Sequence, residues 1–129
     1  MNNDPLANTL SAIQNYEKVG KKEIVINPTS KLILGILNIM NAHHYVGAVD
    51  ITTEARGGFA KLHLLGNINK CGVIKPRFSV GWKDFEKFEK RYLPAKGMGI
   101  ILISTPLGLM TLTEAREKKI GGKLIAYCY

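Results

Sequence analysis

The chain has 129 residues, 46% of them apolar, enough for one domain or two small halves with a real core. Its 18 Lys and Arg against 10 Asp and Glu leave a net charge of +8, which in so short a chain favours a polyanionic partner, nucleic acid first and an anionic membrane surface second. No apolar stretch approaches the ~20 residues that span a bilayer, and the N-terminal MNNDPLANTL has neither the basic flank nor the apolar centre of a signal peptide, so a cytoplasmic location is expected.

Asp4 followed by Pro5 is a helix start: the carboxylate accepts a first-turn amide, and proline takes the position whose N–H would have no partner. Leu6, Leu10, Ile13 and Tyr16 recur at helical spacing, which predicts a helix over residues 5–18, ended by Gly20. KKEIVINP is β-branched at Ile24, Val25 and Ile26 and reads as a strand stopped by Pro28. A second helix, capped by Thr29 or Ser30, carries Leu32, Ile33, Ile36, Leu37 and Met40 as a broad apolar stripe until NAHHYVG breaks it. VGAVDITT and GFAKLHLLG, on either side of EARG, form a hairpin with a basic tip at Arg56.

Residues 67–81 hold another strand, interrupted by Gly72 and Pro76 as an edge or linking strand would be. KDFEKFEKRYLP spaces Phe85, Phe88 and Tyr92 by three and four, giving a short amphipathic helix closed by Pro94. The strand GIILIS, the loop STPLGLM, a helix from about Thr113 to Lys119, the turn IGG and the strand KLIAYCY complete the chain. The expected fold class is α/β (α+β) with two small domains. Residues 1–68 form an αβαββ half, and residues 69–129 a mainly β half with short helices. The boundary falls between residues 68 and 80, and strand direction in the second half is open, because strands joined by a helix can run parallel.

The loop STPLGLM has two readings. As a turn, Pro106 and Gly108 shape it and Thr111 or Thr113 caps the next helix, supported by Glu114. As a binding loop, Ser104 and Thr105 donate to base edges, sugar hydroxyls or phosphates while Gly108 lets a ligand approach the backbone. Gly121 and Gly122 make a second bare-backbone turn, or else a plain helix C-cap. A serine hydrolase lacks support: LISTP around Ser104 is not G-x-S-x-G. GMG at residues 97–99 precedes a strand, so neither a P-loop nor a dinucleotide site is indicated. His43, His44 and His63 would bind zinc only if the fold gathered them with carboxylates or thiols, and ordinary surface histidines are the preferred reading. Cys71 and Cys128 form no C-x-x-C pair and read as buried thiols rather than a disulfide.

Positive charge is concentrated mid-chain: residues 56–96 hold ten Lys and Arg against three Asp and Glu, and Lys21, Lys22 and Lys31 add to it. Any single lysine is compatible with a solvated surface, and KDFEKFEKR can pair its own charges along a helix. The collective excess favours nucleic acid. RNA fits better than DNA, because no helix is studded with Arg, Asn or Gln, whereas loop hydroxyls and glycines suit a shaped minor groove.

DPLANTLSAIQN at 4–15, SKLILGILNIMNAHHYVG at 30–47, INKCGVIKPRF at 68–78, STPLGLM at 104–110 and GGKLIAYCY at 121–129 together resemble the universal small-subunit ribosomal protein eight family, in order and along essentially the whole chain. NKCGVIKPRF and FEKRYLP are similar to its archaeal and eukaryotic-cytosolic branch. The resemblance implies a two-domain protein that binds the central domain of small-subunit rRNA at an irregular helix. It implies a role in early subunit assembly beside neighbouring small-subunit proteins, with no enzyme activity, cofactor, metal, membrane or small-molecule substrate. It also allows translational autoregulation through an mRNA hairpin that imitates the rRNA site.

Carried over residue by residue, the resemblance assigns the main RNA contact to Ser104, Thr105, Gly108 and Met110, with Met110 anchoring the loop in the core. The Gly-Gly turn maps to Gly121 and Gly122, with Lys123 beside it. Ser30, Lys31 and Arg56 are expected to hold the phosphate backbone. Pro106 stands where the family has Ser or Thr, which removes a hydroxyl and an N–H, so no contact carries over to that position.

Overall fold

The computed structural model describes residues 5–26, 31–52, 59–75, 77–95 and 98–129. Asp4, Pro28, Thr29, Ser30, Arg56 and Pro76, on which several expectations rest, lie outside them. The chain divides into two compact units, Met1–Lys70 and Cys71–Tyr129.

The first unit runs α1 (Pro5–Lys18), β1 (Glu23–Ile26), α2 (Lys31–Ala42), β2 (Val46–Thr52) and β3 (Phe59–Leu64). Its strands form an antiparallel sheet in the order β1-β3-β2. Leu6, Leu10 and Ile13 of α1, and Ile33, Ile36, Leu37 and Met40 of α2, are buried together with Ile24, Ile26, Ala60, Leu62 and Leu64 of the strands. Helical spacing thus selects one face of each helix, and alternation selects one face of the sheet.

Both helices end in the same way. Gly20 adopts φ +75°, its N–H donating to the Glu17 carbonyl and that of Lys21 to the Tyr16 carbonyl. His44 repeats this geometry at φ +63°, with its N–H on the Asn41 carbonyl and that of Tyr45 on the Met40 carbonyl. A left-handed residue after the helix lets two following amides satisfy its last carbonyls. Tyr16, expected on the apolar face, is instead 37% exposed. Its ring lies beneath the Lys21 ammonium, 6.0 Å from the centroid.

The second unit contains β4 (Cys71–Val73), β5 (Ser79–Val80), a 3-10 turn (Trp82–Asp84), α3 (Phe85–Tyr92), β6 (Ile100–Thr105), β7 (Gly108–Thr111), α4 (Leu112–Lys118) and β8 (Gly122–Cys128). A five-stranded sheet runs β4-β8-β6-β7, with β5 also paired to β8. Every pairing is antiparallel, which resolves the question of direction. Ile74, Val80, Phe85, Ile101, Ile103, Met110, Leu112, Ala115 and Leu124 form the core cluster.

Three expectations change here. The single strand read in residues 67–81 is two short strands, both laid on β8. The loop STPLGLM is mostly a hairpin, in which only Pro106 and Leu107 turn and Gly108 already starts β7. The residue that closes α4 is Lys119 at φ +56°, not a glycine. Thr111 caps that helix from its N-terminal side by accepting the Glu114 N–H at 3.3 Å.

Candidate nucleic-acid interface

Strand β8 lies between β5 and β6, and its second residue, Lys123, has a partner on each side: Ser79 of β5 and Ser104 of β6. Directly opposed residues in an antiparallel sheet share a face, so Ser79, Lys123 and Ser104 form one row of hydroxyl, ammonium and hydroxyl. All three side chains are exposed. Lys123 makes no ion pair among the described residues, so its charge is available to an incoming anion.

The backbone beneath this row is drawn unusually close. A Cβ on Gly122 would overlap the Ser104 carbonyl oxygen, and one on Gly121 would overlap that of Val80. The two glycines therefore admit β6 and β5 against the start of β8, which is a packing reason for them that does not involve a ligand.

Next to the row, the Thr105 hydroxyl closes the hairpin. It donates to the Gly108 carbonyl at 2.8 Å and accepts from the Leu107 N–H at 3.2 Å. Thr105 is only 8% exposed, and its proton is committed within the turn. Gly108 has φ +120°, a conformation L side chains rarely adopt. Pro106 has no N–H, so the tip offers few donors outward. Leu107 is 68% exposed and Met110 is 5% exposed in the core cluster, consistent with Met110 as an anchor.

Ser104, Thr105, Gly121, Gly122 and Lys123 line one shallow cleft of about 480 Å³, together with Ser79 and Gly81. Gly108 and Met110 do not line it. Ser79 and Gly81 escaped the sequence reading because β5 is two residues long and carries no periodicity. The one available signal was a hydroxyl and a glycine separated by a valine. In the first unit Lys31 is exposed at the start of α2, while Ser30 and Arg56 lie outside the described residues.

Many cations outside this cleft are already engaged. Lys61 Nζ is 2.9 Å from Glu23 Oε2, and Lys90 Nζ is 3.8 Å from Glu86 Oε1. Arg116 pairs with Glu89, and Lys83 and Arg91 sit over the rings of Trp82 and Phe88. A second cleft of about 530 Å³, bordered by Trp82, Leu93 and Pro94, holds the Lys90–Glu86 and Arg116–Glu89 pairs and none of the expected site residues. The mid-chain charge excess is thus partly neutralised in place.

His63 is also engaged, with Nε2 2.9 Å from Asp50 and Nδ1 3.8 Å from Glu23. Among the described residues, no three His, Cys, Asp or Glu are grouped to hold a metal ion, and no helix is long and apolar enough to cross a membrane. In comparison with known proteins, the family model described as Ribosomal protein S8 matches residues 4–129.

Proposed function

The chain belongs to the ribosomal protein S8 family, structural proteins of the small ribosomal subunit that bind rRNA, and from this premise we propose that it binds the central domain of small-subunit rRNA directly, as an early assembly protein without enzyme activity. The observation that carries the reading is the row Ser79, Lys123 and Ser104 over a cleft floored by glycine. An ammonium between two hydroxyls matches the surface of an RNA minor groove, where a phosphate borders 2′-hydroxyls. The two glycines keep that floor low, and Thr105 shapes its rim.

In this reading Ser104 is the donor that faces RNA, while Thr105 acts by fixing the turn. Lys31, Ser30 and Arg56 supply phosphate contacts from the first unit, and neighbouring small-subunit proteins complete the setting in the cytoplasmic ribosome. The test is a titration of the protein against a short central-domain rRNA fragment and a scrambled duplex of equal length, at two salt concentrations. A preference for the fragment that survives the higher salt supports specific recognition. Equal, salt-labile binding to both would reduce the claim to charge attraction alone.

A further inference from the structure

Cys71 and Cys128 are far apart in sequence but are direct partners across β4 and β8. The class of that pairing follows from one hydrogen bond. In the same register Ile74 opposes Ile125, and the Ile74 N–H donates to the Ile125 carbonyl at 2.9 Å, which marks a hydrogen-bonded pair. Such pairs alternate with non-hydrogen-bonded ones along an antiparallel ladder. Val73 with Ala126 is therefore non-hydrogen-bonded, Gly72 with Tyr127 hydrogen-bonded, and Cys71 with Cys128 non-hydrogen-bonded.

In that class the Cα atoms stand about 4.5 Å apart and the side chains are at their closest. A disulfide accepts Cα separations of about 4.4–6.8 Å, so the backbone already satisfies its main requirement. Tyr127 packs on the other face of the same strand, over Gly72, and leaves the Cys71 and Cys128 side chains facing each other. Both are buried thiols in this structure. β4 is a three-residue strand at the end of the sheet order, paired with β8 among the described residues, the kind of short element whose local opening admits a small reagent.

From this juxtaposition we infer that Cys71 and Cys128 are a modification site, a dithiol that hydrogen peroxide converts to a cross-strand disulfide. One thiolate attacks the peroxide O–O bond, giving a sulfenic acid and, after proton uptake, water. The second thiolate attacks that sulfur, the S–S bond forms, and the expelled hydroxide leaves as a second water. The two thiols together lose two electrons and two protons, and the peroxide takes them up. The bond would join the first residue of the second unit to its last but one. It closes nearly the whole unit into a ring, the arrangement that most restricts an unfolded chain.

The experiment is to treat the purified full-length protein with hydrogen peroxide, then examine it by non-denaturing thiol labelling, intact mass, peptide mapping and thermal unfolding. The expected result is a monomer that loses two hydrogens, with both thiols consumed together and the peptides containing Cys71 and Cys128 linked. Its Tm should rise by several degrees or more and return on reduction. The Cys128→Val variant should show no such rise. A disulfide-linked dimer, a sulfinic acid on one cysteine beside an intact thiol on the other, or retention of both thiols would overturn the assignment.

Discussion

Gly122 meets the carbonyl oxygen of Ser104 so closely that a Cβ at position 122 would overlap it, with the Thr105 Cα only 3.1 Å from the same point. Both obstacles are backbone, so neither can rotate away. Gly122→Ala should therefore destabilise the protein by about 2–3 kcal/mol, as overpacking typically does, read as a lower urea midpoint.

Gly81 lines the same cleft, but its φ of −77° suits any residue and a Cβ there meets nothing within 4 Å. Gly81→Ala should leave stability within about 0.5 kcal/mol of the parent while placing a methyl group in the cleft. Weakened rRNA binding with an unchanged urea midpoint is the expected combination. Unchanged binding would indicate that RNA does not approach this part of the surface.

The Thr105 hydroxyl donates to the Gly108 carbonyl and accepts from the Leu107 N–H, so its loss should be visible without any RNA present. Thr105→Val should cost about 1–2 kcal/mol, and Thr105→Ser, which keeps the hydroxyl, should recover most of it. Equal urea midpoints for the parent and Thr105→Val would show that these bonds contribute nothing to the fold.

Lys123 and Ser79 should separate by salt dependence. Lys123→Ala should weaken binding to all RNAs and reduce the salt slope by about one phosphate contact. Ser79→Ala should cost about 1 kcal/mol for a lost hydrogen bond with the slope unchanged. A reduced slope in Ser79→Ala, or an unaltered one in Lys123→Ala, would contradict the roles assigned across this row.

Much of the architecture was legible in the sequence. Leu6, Leu10 and Ile13 announced α1, and Gly20 its end, because helical spacing and left-handed caps are local. What depended on distant partners was not legible. β5 is a strand only because β8 supplies its hydrogen bonds, and Ser79 joins the site through that pairing alone. β7 hid within STPLGLM because four residues beginning with glycine show no alternation. Tyr16 fits the helical spacing, yet its ring sits at the surface beneath the Lys21 ammonium. The glycines at 121 and 122 read as bare backbone in the sequence, but the Val80 and Ser104 carbonyls they admit follow only from the strand register.

Lys61 provides a pH test on the first unit. The hydrogen bond that Lys61 donates to Glu23, and then the negative charge of that carboxylate, raise the Lys61 pKa above the ordinary value of 10.5. A raised lysine pKa contributes stability that is complete below the unfolded value and disappears as pH rises through the folded one. Lys61→Met should thus be less stable than the parent at neutral pH, with the gap in Tm closing as pH rises beyond 10.5. A gap that stayed constant would show that the pair contributes no net charge interaction.

If rRNA settles on the row formed by Ser79, Lys123 and Ser104, backbone amide NMR signals of the isotope-labelled protein will report it as the central-domain rRNA fragment is added. The largest shifts are expected at Ser79, Gly81, Ser104, Gly122 and Lys123, saturating together, with the scrambled duplex failing to reproduce them. Shifts confined to other surfaces, with these five amides unmoved at saturation, would contradict that placement of the rRNA.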